Sequence, residues 1–182
     1  LIDEFSIYDY GMDATEVGEL YQSVVDDDVT VTDKKMLAHY AFSDIKTANN
    51  IASGTAVSAN AKVPNTSEDT KGSYDAKVVK NGAELYEDGS SLLLPGGAAN
   101  TNPAYVELPG EMFTDSDGRM RDVLTVNLWM KNISGQSDWT GFYVGTDPTK
   151  NEGGVMPINY LLLNPRKNDK FKAAMTCNET AT

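Results

Sequence analysis

The only histidine and the only cysteine of the chain are the residues best suited to nucleophilic chemistry, and neither lies in a catalytic motif. A catalytic histidine needs a nucleophile or an orienting carboxylate beside it. His39 instead alternates with apolar neighbours on a predicted strand, and the chain contains no Gly-x-Ser-x-Gly elbow. We therefore interpret His39 as structural or solvent-facing, and Cys177 as a small buried hydrophobe.

Carboxylates are abundant, and carboxylate pairs carry out glycoside hydrolysis. The chain has 27 Asp and Glu residues, so some will be close together by chance, and none lies in a recognisable acid–base motif. The segment Thr114–Gly118 superficially resembles a calcium loop, but it lacks the later bidentate glutamate of an EF-hand. Solvation of the surface accounts for most of these acids.

Aromatic side chains on an open strand face could stack against sugar rings. The candidates are Trp129, Trp139, Tyr143 and Tyr160. Trp129 falls on the polar register of its predicted strand, which favours an exposed position. The alternative is a buried aromatic core, the commoner role of tryptophan in a β-sandwich.

The charge balance excludes several classes of function. The formal net charge is −12, and an acidic surface repels nucleic acid phosphates. No stretch approaches the roughly 20 apolar residues of a membrane helix, so membrane insertion is not expected. A single cysteine excludes an internal disulfide, and a single histidine excludes a site that needs two imidazoles.

The N-terminal segment predicts a strand followed by a short helix. Residues 4–8 alternate apolar and polar side chains, which is typical of a half-buried strand. Asp13 and Glu16 have the spacing of a helix capping box. Val17, Leu20 and Tyr21 then share one helical face, and residues 25–35 have the composition of a linker.

From Met36 onward the pattern is that of short strands separated by turns. Asn81-Gly82 predicts a tight hairpin between residues 74–79 and 83–86. Residues 123–131 form the strongest strand pattern, and residues 158–163 and 171–177 pair naturally across a charged turn. The fold class predicted is all-β, a sandwich of two antiparallel sheets with one short helix near the N-terminus.

Several motifs in this order resemble the laminin-G-like, concanavalin A-like jelly-roll domains. LIDEFSIYDYGMDATEVGELY is similar to the closing strand and helix of that family, and LAHYAFSD resembles its opening strand. DGSSLLLPG, AYVELPG and LTVNLWMKN resemble the motifs that follow. The resemblance implies that residues 1–24 end one domain, that residues 25–35 are a linker and that residues 36–182 are an incomplete second domain. Neither terminus resembles a natural one, so we expect a piece of a longer polypeptide.

In such sandwiches the first and last strands are neighbours in one sheet. The predicted strand at residues 37–42 would therefore expose an unpaired edge. Two alternatives would fill it: missing strands supplied by the remainder of the parent polypeptide or by a second chain, or residues 3–8 folding back.

The resemblance also implies a structural calcium near the ends of the early strands. The corresponding ligands here are Asp44 and Asp88, with Asp3 or Glu4 from the closing strand. Calcium takes oxygen ligands of this kind. The alternative is that Asp88-Gly89 is a simple turn.

By resemblance, the function expected is a non-catalytic carbohydrate-binding or adhesive accessory module of a larger secreted or surface protein. Such modules accompany bacterial glycoside hydrolases, which predicts an extracellular or cell-surface location and a glycan partner. The alternatives are a structural spacer that packs against a catalytic domain, and a segment of a glycoside hydrolase that contributes to its site.

Overall fold

The structure is a computed structural model that describes most of the chain in ten segments. They are residues 2–26, 35–52, 54–70, 72–86, 89–96, 103–118, 121–133, 141–145, 160–167 and 170–176. Strands dominate these residues and form several small antiparallel sheets, so the all-β prediction is confirmed at that level. The chain divides into two compact units, Leu1–Trp129 and Met130–Thr182.

Twelve strands, two α-helices and two short 3-10 helices are present in the described segments. The strands are β1 (Ile2–Tyr8), β2 (Met36–Tyr40), β3 (Ala56–Val57), β4 (Lys62–Val63), β5 (Ala76–Val79), β6 (Ala83–Leu85), β7 (Leu92–Leu93), β8 (Tyr105–Glu107), β9 (Thr125–Met130), β10 (Phe142–Gly145), β11 (Tyr160–Lys167) and β12 (Lys170–Thr176). The helices are α1 (Ala14–Asp26) and α2 (Asp44–Ala48), and the 3-10 helices are Glu68–Thr70 and Gly110–Phe113.

The capping box predicted for α1 is confirmed. Asp13 Oδ1 accepts the backbone N–H groups of Thr15 and Glu16 at 2.8 and 2.9 Å, and Glu16 Oε2 accepts the N–H of Asp13 at 2.8 Å. These bonds satisfy donors that a helix N-terminus otherwise leaves without partners. The helix extends to Asp26 and so includes the first residues of the predicted linker, whereas residues 27–34 lie outside the described segments.

The largest sheet has the order β2-β1-β7-β6-β3, and β9 also pairs with β1. β1 is antiparallel to β2, with Phe5 opposite Tyr40 and Ile7 opposite Ala38. Of the two alternatives for the edge at residues 37–42, the structure therefore has the fold-back, in which β1 occupies the neighbouring position. That residues 1–24 derive from a preceding domain stays a prediction.

The core of the first unit lies on this sheet. Its largest fully buried side chains include Ile7, Leu37, Tyr40, Leu85 and Leu92. Each apolar side chain of this size stabilises the fold by about 1.5–3 kcal/mol when it is removed from water. Because β1 lies between β2 and β7, its buried residues contact the centre of that core.

The turn at Asn81-Gly82 does not form the predicted hairpin. β5 pairs with β4 and β8, whereas β6 pairs with β3 and β7 in the largest sheet. Gly82 has a φ of 109° and Lys80 a φ of 68°, so the turn does use left-handed backbone. The sequence correctly predicted a turn, but at this turn the chain passes from one sheet to another. The hairpin prediction is therefore wrong.

The second unit contains a three-stranded sheet of order β10-β11-β12. The predicted pairing of residues 158–163 with 171–177 is confirmed in the described part, since Leu161 lies opposite Met175 and Leu163 opposite Ala173. Cys177 lies outside the described segments. Across the helices described, no segment has both the length and the apolar character needed to span a membrane.

Tyr40 makes the stability of the first unit sensitive to alkali. Its hydroxyl donates to the backbone O of Tyr74 at 2.6 Å, and burial, with a smaller contribution from the Asp75 charge, raises its pKa well above 10. Above about pH 10 the unfolded chain loses this proton while the folded chain keeps it, so stability is complete below that pH and falls as the pH rises.

We expect Tyr40→Phe to lose about 1 kcal/mol at pH 7, because the hydrogen bond is removed, and to lose less further stability above pH 10 than the parent. Urea unfolding at pH 7 and at about pH 11 measures both effects. Part of the alkaline decline should persist, because burial also raises the pKa of Tyr8. If the parent and the variant lost the same stability between pH 7 and about pH 11, Tyr40 would not be a cause of the alkaline loss.

Candidate functional site

The outer edge of β2 is covered by residues 65–70, which we call the edge clamp. Thr66 N donates to His39 O at 2.9 Å, and the hydroxyls of Ser67 and Thr70 donate to the backbone O atoms of Met36 and Leu37 at 2.6 and 2.7 Å. Side-chain and loop groups thus take the place of a further strand.

Asn65 is the centre of the edge clamp. It is buried, and its Oδ1 accepts the N–H groups of His39 and Ser67 at 2.9 and 3.1 Å. Its Nδ2 donates to Thr70 Oγ1 at 2.8 Å and to Ser73 O at 2.9 Å. The amide therefore uses both its acceptor and its donor capacity, as a buried polar side chain must.

His39 has the two neighbours that sequence reasoning did not find for it. Glu4 Oε2 lies 2.6 Å from Nε2, and Thr66 Oγ1 lies 2.9 Å from Nδ1. The three side chains form an acid–imidazole–hydroxyl row across β1, β2 and the edge clamp. These contacts join residues that lie 35 and 27 positions apart in the chain, so no local motif could have identified them.

The hydroxyl in this row has a second contact. Thr66 Oγ1 also lies 3.2 Å from His39 O, to which a hydroxyl can donate, so its single proton is directed either to that carbonyl or to Nδ1. Thr66 N donates to the same carbonyl. The row therefore joins β1, β2 and the edge clamp.

Glu4 occupies an unusual backbone conformation in this row. Its φ of 49° lies in the left-handed region, which is uncommon for residues other than glycine. It separates Ile2, which lies opposite Leu92 of β7, from Phe5, which lies opposite Tyr40 of β2. The contact of its carboxylate with His39 helps to hold this conformation.

The residues predicted to bind calcium are only partly described. Glu4 contacts His39, and Asp44 lies half-buried in the first turn of α2. Asp88 and the side chain of Asp3 lie outside the described part of the structure. The described residues contain no group of three or more His, Cys, Asp or Glu side chains placed to hold a metal ion. The calcium site stays a prediction.

Trp129 lies on the surface, where it stacks on Tyr21 of α1. The ring centroids are 5.9 Å apart with an angle of 21° between the planes. Tyr21 is 58% exposed and Trp129 38% exposed, so both rings offer surface to solvent. We call these two residues the first aromatic pair.

Tyr21 was missed as a candidate, because its spacing placed it on the same predicted helical face as Leu20. In the structure only Leu20 of that face is buried, whereas Val17 and Tyr21 are exposed. Helical periodicity identifies a face but does not show whether anything covers it.

Tyr143 and Tyr160 form a second aromatic pair in the other unit. Their centroids are 6.1 Å apart with an angle of 30°, and Tyr143 is 40% exposed. Tyr143 lies opposite Leu162, two residues from Tyr160 along β11, so the two rings are diagonal neighbours on one sheet face. Trp139 lies outside the described segments.

No protein-family model, no curated protein and no solved structure matches this chain.

Proposed function

We propose that this chain is a non-catalytic carbohydrate-binding or adhesive module of a larger secreted or surface protein that acts on glycans. The observation that carries the proposal is the first aromatic pair, two stacked rings exposed on the surface. Stacked aromatic rings offer a flat apolar surface at little entropic cost, and their polar edges can donate hydrogen bonds to hydroxyls.

The charge of the chain limits the class of glycan that it can bind. With a net charge of −12, long-range repulsion disfavours polysaccharides that carry carboxylate or sulfate groups. The ligand we propose is therefore an uncharged polysaccharide, bound by stacking and hydrogen bonds in a shallow groove.

The jelly-roll architecture is part of the same proposal. It is supported by the antiparallel sheets and by the pairing of β1 with β2, the arrangement of last and first strands in such sandwiches. The remainder of a parent polypeptide would then complete the sandwich and supply any catalytic activity.

Affinity electrophoresis in gels that contain neutral polysaccharides tests the proposal. We expect Trp129→Ala or Tyr21→Ala to weaken retention about fivefold or more, because an aromatic anchor at a binding surface contributes over about 1 kcal/mol. Tyr143→Ala tests the second aromatic pair in the same way.

Tyr105→Ala is the matched control, since Tyr105 is also an exposed tyrosine but belongs to neither aromatic pair. Circular dichroism confirms that each variant is folded. If no neutral polysaccharide retains the parent, or if all four variants are retained alike, the aromatic pairs do not bind glycans and the spacer alternative is favoured.

A further inference from the structure

Among the described residues, β12 lies at the edge of its sheet and has an exposed apolar face. In the described part of the chain its strand partner is β11 alone. Phe171, Ala173 and Met175 alternate along it on one face, and Phe171 and Met175 are 64% and 79% exposed. Two large apolar side chains with this exposure on one short strand form a surface that water solvates poorly.

The same face continues across the whole sheet. Leu163 and Leu161 of β11 lie opposite Ala173 and Met175, and Phe142 and Val144 of β10 lie opposite those leucines. Directly opposite residues of antiparallel strands share a face, so the face is apolar from β10 to β12. A strand that pairs with β12 would extend this apolar face only if its own apolar side chains lay on the same side of the sheet.

A second copy of β12 has that register. In an antiparallel pair centred on Ala173, Phe171 of one copy lies opposite Met175 of the other, and Lys172 lies opposite Ala174. Sulfur–aromatic contact favours the first of these pairs. The apolar faces of the two copies then lie on the same side of a continuous six-stranded sheet.

The register centred on Lys172 and the registers shifted by a single residue are less favourable. A pair centred on Lys172 places two like charges directly opposite each other, which is destabilising. A shift by a single residue turns the apolar face of one copy to the polar side of the other. The pair centred on Ala173 keeps the exposed Lys172 side chains at a diagonal, on the face opposite to Phe171 and Met175.

We propose that β12 is a self-association surface, at which two copies of this chain pair edge to edge about a two-fold axis through Ala173. The contact is isologous and therefore closes at two copies. It covers on the order of several hundred Å², so it is weak, with a dissociation constant on the order of 100 µM.

Sedimentation velocity from about 5 to 500 µM tests the proposal, because this range brackets the expected constant. We expect the parent chain to shift from monomer to dimer. Phe171→Lys and Met175→Glu should each raise the dissociation constant about tenfold or more, since each places a charge opposite an apolar side chain.

The double variant Phe171→Lys/Met175→Glu tests the register itself. Position 171 of each copy faces position 175 of the other, so the new charges pair across the axis. The dissociation constant of the dimer should therefore return to within about threefold of the parent value. Val17→Lys, which changes another exposed apolar residue, is the control and should leave it unchanged.

Ala173→Cys in a Cys177→Ser background gives an independent measurement. Two cysteines facing each other at the axis are within disulfide range, so oxidation should yield covalent dimers, whereas Lys172→Cys in the same background should yield few. A chain that stays monomeric up to about 500 µM would overturn the proposal. So would a double variant no better than the single variants, or equal cross-linking at positions 172 and 173.

Discussion

Asn65→Ala is expected to lower the free energy of unfolding by about 3 kcal/mol. The side chain is buried and bonds to His39 and Ser67 through Oδ1 and to Thr70 and Ser73 through Nδ2. Alanine leaves those groups without their partner in a region that water enters poorly. Urea unfolding followed by circular dichroism measures the loss.

Asn81→Ala is the matched control for this substitution. Asn81 is exposed, and its Oδ1 accepts one hydrogen bond, from Ala59 N at 3.1 Å. We expect it to cost less than about 1 kcal/mol. Asn65→Asp should resemble Asn65→Ala, because a carboxylate cannot donate to Thr70 and Ser73. Equal losses for Asn65→Ala and Asn81→Ala would show that the edge clamp is not needed to protect β2.

Ile7→Ala is expected to destabilise the first unit by about 2–5 kcal/mol. Ile7 is fully buried in β1, opposite Ala38 of β2, at the centre of the largest sheet. Removing most of its side chain leaves a cavity in the core beside β1, the strand that joins β2 to β7. The change should appear as a lower denaturation midpoint with an unchanged slope, since the fold is weakened rather than altered.

Val17→Ala provides the comparison for this substitution. Val17 lies on α1 and is 51% exposed, so its truncation should change the stability by no more than about 0.5 kcal/mol. If Ile7→Ala proved as mild as Val17→Ala, β1 would not be an integral strand of this sheet. The fold-back arrangement would then be refuted by a measurement that needs no ligand.

Local signals in the sequence were enough to predict the elements whose partners are near in the chain. The capping box needs only Asp13 and Glu16, and the pairing of β11 with β12 follows from alternation across a short turn. In both cases the interacting groups are neighbours along the backbone, so their spacing already determines their geometry.

Arrangements that depend on distant partners could not be predicted in the same way. Asn81-Gly82 determines a backbone turn but not which sheet receives the next strand. The contacts of His39 with Glu4 and Thr66 exist only because β1, β2 and the edge clamp come together in the fold. The register of Trp129 predicted its exposure, whereas its partner Tyr21 comes from a helix far away in the chain.

The central position of β1 also determines when the first unit can form. Its strand partner β7 begins at Leu92, and Thr125, the first residue of β9, bonds to Tyr10 O across 115 residues. At a synthesis rate of about 5–20 residues per second, roughly 6–23 s pass between the synthesis of β1 and that of β9. Pairings at such separation close slowly, so folding should take milliseconds to seconds rather than microseconds. β1 is synthesised before β2, β7 and β9, but its pairing is complete only after the last of these strands.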